Sequence, residues 1–188
     1  MSVTKQLAKE VVLTKFDDIP DKAVERIRRG ILDSIGDAFL GHSNVGEFFL
    51  PYAKGLGESI PESTIVGTGL KVSCVVAAGI NAQLGQSTNF TPHGGPGGSV
   101  LSSFVHTGLA IGERIGTTNG QDLITAVALA FEINARFHRA AFPVGIIYGE
   151  VPKRDTSFLG SQRHQVLAAA LTAAKLLGLN EDQVNRTM

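Results

Sequence analysis

Residues 119–137 read NGQDLITAVALAFEINARF. Apolar side chains fall on almost every side of a helix drawn through them, so the stretch predicts a central helix over 120–140 rather than a surface one. Thr118 and Gln121 have the spacing of a capping box at its start. Upstream, 99–115 is a second long apolar helix. Residues 72–84 form a helix rich in small side chains, which allows close approach of its neighbours. At the N-terminus, Leu7, Ala8, Val11 and Val12 make one stripe of a helix over 3–14. A helix over 20–40 starts at Pro20, puts Ala23, Ile27, Ile31, Ile35 and Ala38 on one face, and stops at Gly41. A short helix over 45–56 is interrupted by Pro51, and only STIVG at 63–67 reads as a strand. Helices over 162–177 and 181–188 meet at Gly178. The expected fold is all-α, mainly helical, with 1–188 as a single domain. Residues 141–160 hold two prolines, three glycines and no period, and read as an irregular loop or lid. The last helical pattern runs to Met188 without a stop signal, which leads us to expect a continuation.

Composition narrows the function. The chain has 188 residues, 43% hydrophobic and 18% charged, enough for one domain with a real core. Seventeen basic residues balance seventeen acidic ones, and the pI is near 7. That removes the electrostatic case for a nucleic-acid or anionic-membrane partner. A single cysteine excludes an internal disulfide framework and a cysteine-rich zinc site. The first residues carry Lys5, Lys9, Glu10 and Lys15 within their apolar stretch, so they lack the form of an export signal. No run is long and apolar enough to span a bilayer. A cytoplasmic protein is expected.

The glycines cluster, and the richest cluster is 85–98, GQSTNFTPHGGPGG. Asn89, Thr91 and His93 alternate with Phe90 and Pro92. Gly94, Gly95, Gly97 and Gly98 then run into a helix start at Ser99. A helix start offers free N–H groups and the positive end of a dipole, and glycine lets a ligand approach the backbone. The loop is therefore a candidate holder of a carboxylate or phosphate, with His93 handling a proton. The plainer reading is a glycine-rich connector with an exposed histidine. No Lys-Ser/Thr follows, so it is not a Walker loop, and it is not a GxGxxG fingerprint. Arg163 and His164, at the start of a helix beyond the irregular segment, form a second candidate anion site. Their plainer reading is a solvated first turn.

Other titratable residues read more plainly. His106 and His138 lie inside helices and are expected to be core or surface residues; His42 is uninformative. Glu132 sits in an apolar helix, but Arg136 four residues on makes an ion pair the better reading. Asp33 and Asp37 share a helix face with no third partner. Cys74 near a helix start reads as a small buried hydrophobe rather than a reactive thiol. No HExxH, Cys/His cluster, calcium loop or GxSxG occurs, and neither metal nor cofactor is expected.

Three stretches resemble the helical domain of the MmgE/PrpD family, which contains 2-methylcitrate dehydratases, cis-aconitate decarboxylases and iminodisuccinate epimerases. ILDSIGDAFLG (31–41) is similar to its LLDTLG-type helix. The stretch 119–137 is similar to GxDLLxAxxxGYExxxRL, and AAALTAAKLLGLNEDQVNRTM (168–188) to AAAAKLLGLxxxQ. The order and spacing of the three cover most of the chain. The resemblance implies a helical domain paired with a second, lid-like domain that supplies further active-site groups. It implies a lyase or isomerase acting on a small di- or tricarboxylate by proton abstraction next to a carboxylate, with no cofactor. The family's DFDDT-type motif followed by His-Pro is replaced here by NFTPHGGPGG. Asn89 stands at the first Asp, His93 at the Thr and Gly95-Pro96 at the His-Pro. His164 is nearest to the histidine that precedes the family's alanine-rich helix. The catalytic set expected from the resemblance is His93, Asn89 and His164. Thr91, Gly94, Gly95, Gly97, Gly98 and Arg163 would bind the substrate. Because an Asn cannot serve as a carboxylate base, the alternative is a non-catalytic helical subunit or degenerate copy, paired with a partner chain or as a homodimer.

Overall fold

The computed structural model describes residues 2–56, 60–90, 101–141 and 163–188, with the backbone alone at 138–141 and 163–164. The elements in order are α1 (Val3–Leu13), a 3-10 turn (Phe16–Asp18), α2 (Asp21–Gly55), β1 (Ser63–Thr64), β2 (Lys71–Val72), α3 (Cys74–Gln86), α4 (Leu101–Ile115), α5 (Gly120–Ala141), α6 (Arg163–Leu176) and α7 (Glu181–Thr187). The fold is mainly helical, as the periodicities require. Among the described residues no helix is long and apolar enough to cross a membrane.

Helix α2 corrects the expected break. It runs 35 residues through both Gly41 and Pro51. A stop glycine works by taking a positive φ, and Gly41 is not among the residues that do so. Its lack of a side chain serves packing instead: a Cβ there would collide with the carbonyl oxygen of Leu84 and lie 2.6 Å from Ser87 Oγ. The glycines that do end helices are Gly116 after α4 (φ 74°) and Gly178 after α6 (φ 64°). Pro51 lies in the last turns, and the helix continues past it to Gly55 although the ring removes one backbone donor.

The expected strand at 63–67 is shorter and has a partner. Ser63 pairs with Val72 and Thr64 with Lys71, antiparallel, so Val72 belongs to β2 and α3 begins at Cys74. Gly67 turns the hairpin with φ 79°. Asn81 of α3 grips it, donating from Nδ2 to Thr64 O and accepting from Val66 N–H, both at 2.9 Å. Two residues per strand leave little for the ladder itself, so this side-chain clamp and Glu113, which accepts from Thr64 N–H and Oγ1, fix the hairpin to the helices.

The central element is α4 rather than α5. Its Leu101, Phe104, Val105, His106, Ala110 and Ile111 are buried, and α2, α3, α5 and α6 all pack on it. Helix α5 is amphipathic, with Ala126, Val127, Ala130 and Ile133 inside and Gln121, Glu132 and Arg136 outside. Its cap is also displaced by one residue from the expectation. Asn119 Oδ1 accepts from the N–H groups of Gln121 (2.9 Å) and Asp122 (3.0 Å), and Asp122 accepts in return from Asn119 N–H. Asn119 therefore takes the cap position expected of Thr118, because the helix begins at Gly120.

Among the described residues, three apolar clusters hold the bundle. One joins α2, the hairpin, α3 and α4 around Ile65 and Leu84. A second joins α2, α4 and α5 around Phe104 and Val127, with Ala168 of α6. A third joins α1, α5, α6 and α7 around Val11, Leu171 and Val184.

Candidate functional site

Packing distances fix which helix ends meet. Near the α4 start, Ser102 Oγ donates to Ala82 O at 3.1 Å, and a Cβ at Gly85 would run into the Ser102 hydroxyl. The C-terminal end of α3 therefore lies against the N-terminal end of α4. Further along α4, a Cβ at Gly108 would meet Thr172 and Leu176 of α6, while Ala168 joins the cluster of Leu101, Phe104 and Val105. Helices α4 and α6 thus run in the same sense. The end of α3, the start of α4 and the start of α6 gather at one end of the bundle.

Asn89 stands just beyond α3 at that end. Its φ is +60°, the left-handed region that Asn enters more readily than most residues. Ser87 caps α3 by giving both its N–H (3.2 Å) and its Oγ (2.8 Å) to Leu84 O, and Asn89 N–H closes a turn on Gln86 O at 3.3 Å. The Asn89 side chain is exposed. Thr91, His93, Gly94, Gly95, Gly97 and Gly98 lie outside the described residues. Arg163 and His164 form the first turn of α6, and their side chains are outside the description too. The parallel helices present two dipoles of the same sign at this end, an arrangement that favours an anion.

Thr88 is a residue that sequence reasoning passed over. Its Oγ1 is buried and has no hydrogen-bond partner among the described residues. The hint lay in its place between Gly85 and Asn89, but nothing in its type distinguishes it from an ordinary loop threonine.

Elsewhere the plainer readings hold. His106 is fully buried, its Nε2 lying 3.2 Å from Ser34 O and 3.5 Å from Ser34 Oγ. Burial pushes its pKa down to about 4 against the opposing hydrogen bond to Ser34, so the ring is neutral. Cys74 is buried, its N–H donating to Glu62 Oε2 at 3.0 Å. That backbone donor, with Arg114 3.3 Å from Glu62, holds the Glu62 carboxyl below its ordinary value. Glu132 pairs with Arg136 at 2.7 Å on the surface. Asp33 and Asp37 share a helix face four residues apart, as expected: Asp33 is exposed, whereas Asp37 is buried and its pKa is raised by that burial and then by Asp33. His42 is wedged between Gly46 and Gly67, whose missing Cβ atoms leave room for its ring. The His138 side chain is outside the description.

Open clefts lie on the surface among the described residues. One, of about 570 Å³, is lined by Phe16, Arg28, Asn119 and Ile124 among others, at the start of α5. Another, of about 420 Å³, lies between Phe39, Val66, Leu109 and Glu113. Neither contains Asn89. Among the described residues no three His, Cys, Asp or Glu side chains come together.

Residues 5–188 match the model of the MmgE/PrpD N-terminal domain. The chain belongs to the MmgE/PrpD family. It is also 25% identical over 194 residues to human (Homo sapiens) cis-aconitate decarboxylase, an alignment that takes in all of this chain and 38% of that protein. The chain thus spans less than half the length of this relative.

Proposed function

We propose that this MmgE/PrpD domain is the helical part of a cofactor-independent lyase or isomerase acting on a small di- or tricarboxylate. The observation that carries the reading is the convergence of the Asn89 turn with the starts of α4 and α6, in a chain whose family and human relative point to lyase chemistry. In this proposal the turn 94–98 and the α6 start, with Arg163, bind the carboxylates. Asn89 and Thr91 orient the substrate. His93 takes the proton from carbon next to a carboxylate, and His164 returns or donates one. The electron pair left on carbon then expels hydroxide from the neighbouring carbon, or, when the order is reversed, departing carbon dioxide leaves the pair and carbon is protonated. Reprotonation on the opposite face would give epimerisation. We place this activity in the cytoplasm.

One observation favours a second reading. Asn89 stands where the family resemblance calls for an acid, and an amide accepts no proton near neutral pH. A non-catalytic domain that still binds the carboxylate, with the chemistry on another chain, is consistent with that exchange. The test is to offer the full-length protein cis-aconitate, 2-methylcitrate and related hydroxy acids, and to follow carbon dioxide release, alkene formation and loss of chirality. The first reading expects turnover with one of them, and a His93→Ala kcat lower by about 100-fold or more. Undiminished turnover in His93→Ala overturns the assignment. Carboxylate binding without turnover selects the second reading.

A further inference from the structure

A polar side chain seldom stays buried without a partner, because it gives up its hydrogen bonds to water and gains none in return. Two such atoms belong to the Asn89 end of the bundle. Asp37 Oδ2 and Thr88 Oγ1 are both buried, and neither has a hydrogen-bond partner among the described residues. Asp37 as a whole is only 7% exposed. Burial, and then the nearby Asp33, push its carboxyl toward the protonated form.

Packing brings the two residues to one place. On α2, Ser34 O lies 3.2 Å from His106 Nε2, and a Cβ at Gly85 of α3 would lie 3.3 Å from that same nitrogen. Two turns further along α2, a Cβ at Gly41 would meet Leu84 O and Ser87 Oγ. Residues 34 and 41 are seven apart and share one face of the helix. Asp37 stands between them, three residues from one and four from the other, so it too is set against the end of α3. Thr88 follows the Ser87 cap of that helix directly. Neither Asp37 Oδ2 nor Thr88 Oγ1 is the other's partner, so the two atoms border a gap instead of closing it.

The pair is chemically selective. An ionised carboxyl only accepts hydrogen bonds, whereas a threonine hydroxyl donates as well as accepts. An alcohol satisfies both with one oxygen, giving its hydrogen to Asp37 and taking one from Thr88. A ligand carboxylate would meet the Asp37 carboxylate as a like charge, and a methylene would leave both atoms unpaired.

We propose that Asp37 and Thr88 hold a hydroxyl group of the substrate, so that the site selects hydroxy polycarboxylates over the same skeletons without the hydroxyl. The inference rests on the polycarboxylate reading above and adds α2 to the elements that form the site. It supplies a carboxyl where the turn itself offers only the amide of Asn89.

Isothermal titration of the full-length protein with citrate, and with tricarballylate, its analogue lacking the hydroxyl, tests it. The wild type should bind citrate about 10- to 100-fold more tightly than tricarballylate. Asp37→Ala and Thr88→Val should each remove most of that preference. Neither variant breaks a hydrogen bond made by the Asp37 Oδ2 or Thr88 Oγ1 atom in the free protein, and thermal unfolding checks that the fold persists. If the wild type binds both acids equally, or tricarballylate more tightly, the hydroxyl assignment is overturned and the carboxylate reading stands. A preference that survives in either variant overturns it too. If neither acid binds, the two readings fall together.

Discussion

His106 is enclosed by α2 and α4, and its chemistry follows from that enclosure. With a pKa of about 4 in the folded chain and about 6.5 in the unfolded one, the unfolded state binds more protons between those values. Stability from this residue is therefore complete above pH 6.5 and is lost as pH falls toward 4. The loss reaches about 2 kcal/mol at pH 5. Asp37 works in the opposite sense, because its raised pKa makes protonation favour the folded state. The informative comparison is thus with His106→Gln: urea unfolding at pH 7 and pH 5 should show a smaller drop for the variant than for the wild type. Equal drops would mean that the ring is not held neutral by burial. Glycines supply a second residue-scale contrast. Gly41→Ala drives a methyl group into the Leu84 backbone and should cost about 3 kcal/mol. Gly79→Ala, in open space on α3, should instead stabilise by about 0.5–1 kcal/mol. Thermal unfolding of the pair decides whether packing or backbone freedom explains each glycine.

At the scale of elements, Lys175 ties the N-terminal helix to the rest. Its ammonium donates to Val12 O at 3.0 Å and Thr14 O at 2.7 Å, satisfying carbonyls at the end of α1. Burial lowers its pKa, while Asp122 and Asp18 oppose that shift. Lys175→Met should cost about 2 kcal/mol and leave α1 less well held. Hydrogen exchange should then quicken in α1 ahead of α5; unchanged α1 protection would contradict the role. Elements were also where the sequence was most legible. The 3.6-residue period found every helix and placed Ala8, Val11, Ile27 and Ala38 inside. It failed at Gly41 and Thr118, where the outcome depends on a neighbour distant in sequence or on which of two adjacent cap residues wins. It also missed β2, because two residues are too few to show a period. The partner strand becomes visible only through Asn81, whose amide reads as an ordinary helix residue until its contacts are seen.

For the whole molecule, the main consequence of the topology is that the end of α3 collects with the starts of α4 and α6. Periodicity says nothing of which helices run parallel, so the gathering of the Asn89 turn with α4 and α6 was not legible from the sequence. The residue types and the family resemblance did mark 85–98 and 163–164 as the places to look. The central claim is that this end of the bundle receives a small polycarboxylate. Titrating cis-aconitate into ¹⁵N-labelled protein at neutral pH tests it directly. Amide signals at 87–89 and at 163–165 should shift together along one binding curve. Shifts confined to Arg28 and 119–121, at the cleft beside α5, or no shifts at millimolar ligand, would contradict the account.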